Sequence, residues 1–319
     1  MTTGFKTTRL ITVFGGSGFL GRYVVRRLAA SGARVRVAVR NPEAAAFLTP
    51  LGDVGQIVPV QANIRDDATV ARAIQGADAV INLVGILFER GRQTFRAVHV
   101  EGAQRIAVAA RDANIPTLLQ ISSLAADPKA ASHYAQTKAA GEAAVRAAFP
   151  KAVLLRPSVV FGAEDQFFNR FAALACLTPL FPLIGGGKTR LQPVAARDVA
   201  DAIVGALDGH DGETIELGGP EIYTFRALME AMLQTIERPR VLLPVPFAVA
   251  RLAAFFLEVL PVPLLTRDQV RLLENDNVVR RSAKSFADLG MVPTPLEVAL
   301  PNQLARFRPG GGKHQIYPA

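Results

Sequence analysis

The sequence predicts an α/β fold in which a doubly wound parallel sheet is joined to a smaller, mostly helical C-terminal domain. Short apolar segments alternate with alanine-rich segments over the first half of the chain, a pattern typical of parallel strands connected by helices on both faces of a sheet. A glycine-rich turn follows the first apolar segment. With 319 residues, half of them hydrophobic, the chain is long enough to form both parts.

The glycine-rich turn lies between the apolar strand that begins near Leu10 and a segment with helical spacing. Gly15 permits a tight turn, Gly18 lets the backbone approach a pyrophosphate, and Gly21 lets helix and strand pack closely. Since the turn has the required strand before it and helix after it, it predicts a Rossmann-type dinucleotide site. The cofactor contacts predicted here also include Phe19, Leu20 and Arg22.

The end of the second strand predicts which dinucleotide is bound. Such folds normally carry an acid about 20 residues beyond the glycines, where it holds the ribose hydroxyls. In this chain the strand Arg34–Val39 ends in Arg40, and a guanidinium binds a phosphate that a carboxylate would repel. We therefore expect NADPH or NADP rather than NADH or NAD. The alternative is that Arg40 is a solvated cation at a strand end.

Two further strands bring backbone to the same edge of the predicted sheet. Asn63 and Ile64 follow the third strand, Ile57–Gln61, where such folds contact adenine. Val84 ends the fourth strand, predicted over 79–84, and Gly85 follows it, where the strand passes the cofactor. Asparagine in a loop more often caps a neighbouring element, so capping is the alternative for Asn63.

The chemical centre is predicted after the fifth strand, 118–122, which ends in Ser122 and Ser123. Tyr134 and Lys138 follow at a spacing of four residues, so in a helix they share one face. A cation beside a tyrosine lowers the pKa of the phenol, and a serine can hold a substrate oxygen while hydride moves to or from a nicotinamide.

These motifs resemble the short-chain dehydrogenase/reductases of the extended or atypical kind, up to about residue 220. Ser123 matches the serine or threonine of that family after strand five, and Tyr134 with Lys138 matches its Tyr-x-x-x-Lys motif. Pro157 lies in a motif that the family places beside nicotinamide. The resemblance implies that Ser123, Tyr134 and Lys138 are catalytic, whether active or vestigial, and that Ser122 and Pro157 contact the cofactor.

His99 is a departure from the family pattern. Extended members usually carry an asparagine in the helix predicted here over 95–113, where this chain has His99. The imidazole could replace that asparagine as a proton relay, or it could simply be packed in the protein.

Composition limits the other functions. The net charge is +9 and the pI is about 10.2, which suits an acidic partner, an anionic lipid or a phosphate-rich ligand. Because the arginines are dispersed and form no stripe with aromatic residues, we expect no nucleic-acid binding. Four histidines and one cysteine at wide spacing predict no metal site and no disulfide. No signal peptide and no membrane-spanning segment is predicted.

The helix predicted from Phe247 to Leu260 is apolar on almost every side. Its charges, Arg251 and Glu258, are seven residues apart and share one narrow stripe. The core of the small domain, a partner protein or a membrane surface could cover the remaining apolar side chains.

A narrower resemblance comes from three segments, 162–171, 192–194 and 265–279. They resemble the alphaproteobacterial and mitochondrial branch of the superfamily that supplies the NADPH-binding accessory subunit of respiratory complex I, the NADH:ubiquinone oxidoreductase. That resemblance implies a structural or assembly role with bound NADPH and no established turnover. It also implies other complex I subunits as partners and a peripheral position on the cytoplasmic face of a bacterial inner membrane, or the matrix side in a mitochondrion.

Two other functions are compatible with the sequence. The first is a free NADP-dependent reductase or epimerase that uses Ser123, Tyr134 and Lys138. The second is a sensor in which nucleotide binding alters a partner interface. For domains, we expect 1–161, with 190–204 returning to it, to bind the dinucleotide. Residues 162–189 and 205–306 would form the substrate or docking domain, and 307–319 a basic, extended tail.

Overall fold

The computed structural model of the chain describes residues 8–260 and 263–311. Its strands are β1 (Leu10–Phe14), β2 (Arg34–Val39), β3 (Ile57–Gln61), β4 (Ala79–Asn82), β5 (Thr117–Ile121), β6 (Val153–Pro157), β7 (Val160–Phe161), β8 (Leu180–Ile184), β9 (Arg190–Leu191), β10 (Val194–Ala195), β11 (Thr214–Leu217), β12 (Tyr223–Thr224) and β13 (Val241–Val245).

The central sheet has seven strands, all parallel, in the order β3-β2-β1-β4-β5-β6-β11. The strand order reverses between β1 and β4, and a dinucleotide binds at such a switch point, beyond the carboxyl ends of the strands. The predicted α/β fold class is confirmed. Three two-stranded sheets lie outside it and pair β7 with β10, β8 with β13, and β9 with β12.

Helices cover both faces of the central sheet. The α-helices are α1 (Phe19–Ala30), α2 (Asp67–Ile74), α3 (Ala103–Asp112), α4 (His133–Ala148), α5 (Phe168–Leu177), α6 (Ala196–Gly205), α7 (Phe225–Thr235), α8 (Phe247–Leu257), α9 (Arg267–Leu272) and α10 (Leu296–Leu304). Helices α1 and α6 contribute to the hydrophobic core on one face, and α2, α3 and α4 to the core on the other.

A third core lies among the later elements. It joins side chains of α5, α7, α8 and α10 with those of β8, including the fully buried Phe168, Phe181 and Phe225. Strand β11 differs from the expectation, since it pairs with β6 and extends the central sheet, whereas its residues were assigned to the smaller domain. We propose to group 214–217 with the dinucleotide part; the rest of the domain division stays a prediction. Residues 312–319 of the predicted tail lie outside the described residues.

Helix bounds also differ from expectation in two places. The segment predicted as one helix over 95–113 contains a π-helix at Arg96–Gly102, which α3 then continues. At this point α4 crosses so closely that a Cβ on Gly141 would collide with the carbonyl oxygen of His99. The helix predicted from Phe247 to Leu260 ends at Leu257.

Candidate dinucleotide site

The glycine-rich turn has the geometry that its three glycines predict. Gly15 has a φ of +78°, a left-handed conformation that favours glycine. A Cβ on Gly21 would lie 2.5 Å from the carbonyl oxygen of Gly16, so a side chain there would push α1 away from the turn. Gly18 is the N-cap of α1 and supplies no side-chain cap. The first-turn N–H groups are therefore left without a capping side chain, as in helices that bind a phosphate.

Two buried polar atoms, one directly after β5 and one in α1, have no partner among the described residues. Ser122 is only 4% exposed, and its Oγ forms no hydrogen bond with the protein. The Nε of Arg22 is in the same situation. Since buried polar groups are nearly always hydrogen-bonded, and Gly18 at the N-cap of α1 has no side chain to keep a phosphate from the backbone, these residues fit a bound dinucleotide.

The two arginines predicted to bind the cofactor are held differently. Arg40 is exposed directly after β2 and forms no ion pair with the described part of the chain. Arg22 pairs with Glu164, Nη1 to Oε1 at 2.9 Å, and its guanidinium lies 5.2 Å from the ring centroid of Phe47. Arg40 is thus open to a ligand phosphate, whereas Nη1 of Arg22 already binds a carboxylate and its buried Nε is without a partner in the described protein.

Asn63, Ile64, Val84 and Gly85 lie at the carboxyl ends of β3 and β4. The side chain of Asn63 accepts a hydrogen bond from the N–H of Arg65 at 3.1 Å, so it stabilises a local turn as the capping alternative predicts. The carbonyl of Ile64 is also engaged within the protein. Val84 borders the glycine turn, since a Cβ on Gly15 would lie 3.2 Å from its backbone nitrogen. Gly85 is exposed next to it.

Lys138 lies on α4 and is 6% exposed. Its Nζ donates a hydrogen bond to the carbonyl of Ile121, the last residue of β5, at 3.0 Å. Burial lowers the pKa of Lys138 to about 8, and the carboxylate of Glu142 one turn further along the helix opposes that shift. The ammonium is therefore fixed at the end of β5, beside the two serines.

Tyr134 lies one turn before Lys138 on α4. Burial raises the pKa of its phenol, and the hydroxyl of Ser123 opposes that rise. The expectation that Lys138 lowers the pKa of the phenol is not met, because the ammonium is directed at the carbonyl of Ile121. Ser123, Tyr134 and Lys138 are nevertheless brought together as the sequence predicts.

Pro157 completes this group from β6. Its carbonyl accepts a hydrogen bond from the N–H of Leu124 at 3.0 Å, which fixes the end of β6 to the segment that follows Ser123. The carboxyl ends of β5 and β6 therefore place Ser122, Ser123 and Pro157 next to one another, with α4 alongside.

His99 is a structural residue in this arrangement. Its ring is 4% exposed, stacks on Phe95 at 5.4 Å and meets the ring of Tyr134 edge to face at 5.3 Å. Nε2 accepts a hydrogen bond from the N–H of Ile86, and Nδ1 lies 3.1 Å from the hydroxyl of Thr137. With both nitrogens engaged, the packed role is favoured over the proton relay.

Sequence reasoning missed two groups of residues around α4. Asp268 of α9 accepts hydrogen bonds from the start of α4. One turn after Lys138 on α4, Glu142 binds Arg156 through both carboxylate oxygens, with Nε to Oε1 at 2.8 Å. Nη1 of Arg156 also lies 3.7 Å from Oε1 of Glu216. The sequence pattern around these residues does not predict either contact, because the partners are far apart in sequence or lie on different elements.

Within 8–260 and 263–311, no three His, Cys, Asp or Glu side chains are grouped so as to hold a metal ion. In the same ranges, no helix has both the length and the apolar character needed to span a bilayer.

The fold and this constellation define a dinucleotide-binding protein of the short-chain dehydrogenase/reductase type. A family model for the NAD dependent epimerase/dehydratase family matches residues 11–218. The chain belongs to that family.

Two curated relatives match most of the chain. It is 38% identical over 314 residues to NADH dehydrogenase (ubiquinone) 1 alpha subcomplex subunit 9, mitochondrial, of Arabidopsis thaliana, covering 94% of this chain and 78% of that protein. The protein of the same name in Mus musculus is 34% identical over 302 residues, which cover 93% of this chain and 80% of the relative. The resemblance drawn from the three C-terminal and central segments is confirmed.

Among solved structures, the NADPH-dependent quinone oxidoreductase of Escherichia coli, complexed with NADPH, superposes with a TM-score of 0.73. The alignment covers 92% of this chain and 99% of that protein, at 21% sequence identity. This likeness supports the fold.

Proposed function

We propose that the chain is an NADPH-binding accessory subunit of respiratory complex I with a structural or assembly role. The observation that carries the proposal is the 34–38% identity, over more than nine-tenths of this chain, to proteins named as subunits of NADH dehydrogenase (ubiquinone). The intact glycine turn supports a bound dinucleotide, and a ligand that binds only the folded state stabilises it by mass action.

NADPH is the proposed cofactor because of Arg40. This side chain is exposed at the carboxyl end of β2 and has no acidic partner among the described residues, so its guanidinium is available to a 2′-phosphate. The α1 N-terminus would hold the diphosphate, and Ser122, Tyr134, Lys138 and Pro157 would hold the nicotinamide half. A bound nicotinamide dinucleotide supplies hydride transfer, while these residues supply binding and orientation.

Helix α8 is the proposed docking surface. Only Ala250 and Ala254 of α8 are buried in the described protein, so the small domain does not cover its apolar face. Leu252, Phe255 and Phe256 are 63%, 52% and 66% exposed. The guanidinium of Arg267 lies 5.2 Å from the ring of Phe255, and such a mixture of exposed aromatic and basic groups suits an anionic membrane surface. The proposed position is therefore peripheral, on the cytoplasmic or matrix side, next to other complex I subunits.

Complementation in a strain lacking the gene tests the structural role. Wild-type protein should restore assembled complex I on a native gel. Tyr134→Phe should restore it equally, since the phenol is not needed for assembly, provided that the variant retains NADPH. Assembly that is unaffected by loss of the gene would contradict the proposal.

A second candidate is a free NADP-dependent reductase or epimerase. The convergence of Ser123, Tyr134 and Lys138 at the ends of β5 and α4 favours it, because a phenol beside a serine can exchange a proton with a substrate oxygen. Under this alternative Tyr134→Phe would abolish turnover while NADPH binding persists. Turnover that survives in Tyr134→Phe would contradict the role of the phenol.

A further inference from the structure

We infer that Asp268 is a positioning residue that couples the exposed helix α8 to the nucleotide site, so that NADPH binding and the order of α8 and α9 are linked. The inference rests on the proposed binding of NADPH and extends it to the C-terminal region. It requires no particular docking partner, because the contacts that carry it lie within this chain.

The carboxylate of Asp268 receives three hydrogen bonds from the beginning of α4. Oδ2 accepts from the hydroxyl of Ser132 at 2.7 Å and from the N–H of Tyr134 at 3.0 Å. Oδ1 accepts from the N–H of His133 at 2.8 Å. Two of the N–H groups that a helix leaves unpaired at its first turn, those of His133 and Tyr134, are thus satisfied by a residue 135 and 134 positions later in the chain. A carboxylate at this end is also favoured by the helix dipole.

The same short helix that carries Asp268 is attached to α8. Arg267 pairs with Glu258, Nε to Oε2 at 2.9 Å, and its guanidinium stacks over Phe255. A second ion pair joins Arg251 of α8 to Glu274 at 3.5 Å. Val270 of α9 is fully buried in the core of the smaller region. Displacement of α8 would therefore pull on α9, and with it on Asp268.

At the other end of this connection, α4 carries Tyr134 and Lys138. Tyr134 is one of the residues whose N–H binds Asp268, and Lys138 follows one turn later with its ammonium bound at the end of β5. Any ligand that fixes these two side chains also fixes the donors that face Asp268. Thermodynamic linkage is reciprocal. The factor by which nucleotide binding favours the ordered state of α8 equals the factor by which ordering of α8 increases the affinity for the nucleotide.

The coupling predicts a defined pattern of hydrogen exchange in the full chain. NADPH should slow amide exchange in α4 and also in α8 and α9 of the wild-type protein. Asp268→Asn replaces one acceptor oxygen with a donor and removes the charge, so NADPH should bind about tenfold more weakly, with no added protection of α8. Asp268→Glu should recover part of both effects. Ser132→Ala removes one of the three hydrogen bonds to Asp268, together with the N-cap hydrogen bond from the N–H of Ala135, and should weaken binding about threefold.

Asp288→Asn is the matched control. Asp288 caps a separate short helix through the N–H of Ser285, so this variant should bind NADPH like wild type and keep the protection of α8. Wild-type protein that binds NADPH without slower exchange in α8 and α9, or Asp268→Asn that binds as tightly as wild type, would overturn the coupling alone. Wild-type protein that binds no NADPH would overturn both the coupling and the proposed function.

Discussion

The backbone N–H of Ile86 donates a hydrogen bond to Nε2 of His99 across 3.1 Å. That nitrogen must therefore be unprotonated, and any proton on the neutral ring lies on Nδ1, which faces Thr137. Burial, and to a lesser extent the nearby charge of Lys138, lowers the pKa of His99 to about 3. The segment after β4, which borders the glycine turn, is thus held in place by a neutral imidazole.

This imidazole predicts a loss of stability in acid. The folded-state pKa of about 3 lies below the ordinary value of 6.5, so the contribution of His99 is fully present above pH 6.5 and declines as the pH falls toward 3. The decline should approach about 1.4 kcal/mol per pH unit. The free energy of unfolding, measured with urea at several pH values between 7.5 and 4.5, should fall less steeply with decreasing pH in His99→Asn than in wild type. The exposed His133, changed to Asn, is the control, and equal slopes for all three proteins would refute the assignment.

The glycines predict two separable defects. Gly21→Ala should destabilise the fold by about 2 kcal/mol, because its Cβ would overlap the carbonyl oxygens of the turn. Gly18→Ala should lower the unfolding midpoint less than Gly21→Ala does, since its Cβ would lie 3.2 Å from its nearest neighbour, the oxygen of Gly15, a tight contact but not the overlap found at Gly21. It should nonetheless weaken NADPH binding at least tenfold by obstructing the phosphates. Thermal unfolding and fluorescence titration with NADPH measure both effects. Normal NADPH affinity in Gly18→Ala would argue against a diphosphate at this turn.

Arg40 predicts the choice of nucleotide. Arg40→Asp should weaken NADPH more than NADH, by a factor of ten or more, because it replaces a charge-assisted hydrogen bond with repulsion. Arg34→Asp is the control at the opposite end of β2, where Arg34 is also exposed. Titration of each variant with NADPH and with NADH measures the two affinities. Equal losses of affinity for NADPH and NADH in Arg40→Asp would exclude a contact with the 2′-phosphate.

The ion pair between Glu142 and Arg156 should contribute more to the free energy of unfolding than an exposed ion pair does. Glu142→Ala leaves the largely buried Arg156 without its bidentate partner and should cost about 3 kcal/mol of unfolding free energy. Glu230→Ala removes a solvent-exposed pair with Arg226 and should cost less than about 1 kcal/mol. Chemical denaturation of both variants gives the comparison. If both variants lost less than about 1 kcal/mol of unfolding free energy, Glu142 and Arg156 would be as well solvated as an exposed pair.

Local sequence was sufficient for much of the sheet and for the composition of the site. Strands β2 and β3 begin and end where their apolar, β-branched residues predict, because strand formation and burial there depend on neighbouring positions. Tyr134 and Lys138 likewise share a face because they are four residues apart on one helix. The glycine turn was predictable since its conformation depends on glycine itself.

Other features depend on contacts between distant segments and could not be predicted. The π-helix at Arg96–Gly102 lies where Gly141 brings α4 against it, and β11 joins the central sheet only by pairing with β6. The role of Asp268 depends on α9 reaching the start of α4. The pKa of Tyr134 was misjudged because spacing places Lys138 on the same face but does not show that its ammonium binds Ile121.

A nucleotide-bearing subunit of complex I must stay with that complex and bring its nucleotide with it. The most direct test solubilises native membranes gently, separates complexes by size, locates this chain in the fractions and measures NADP(H) released from them. We expect the chain to migrate with complex I and about one NADP(H) to accompany each copy. Migration as a small free protein, with no nucleotide in the complex I fractions, would contradict it.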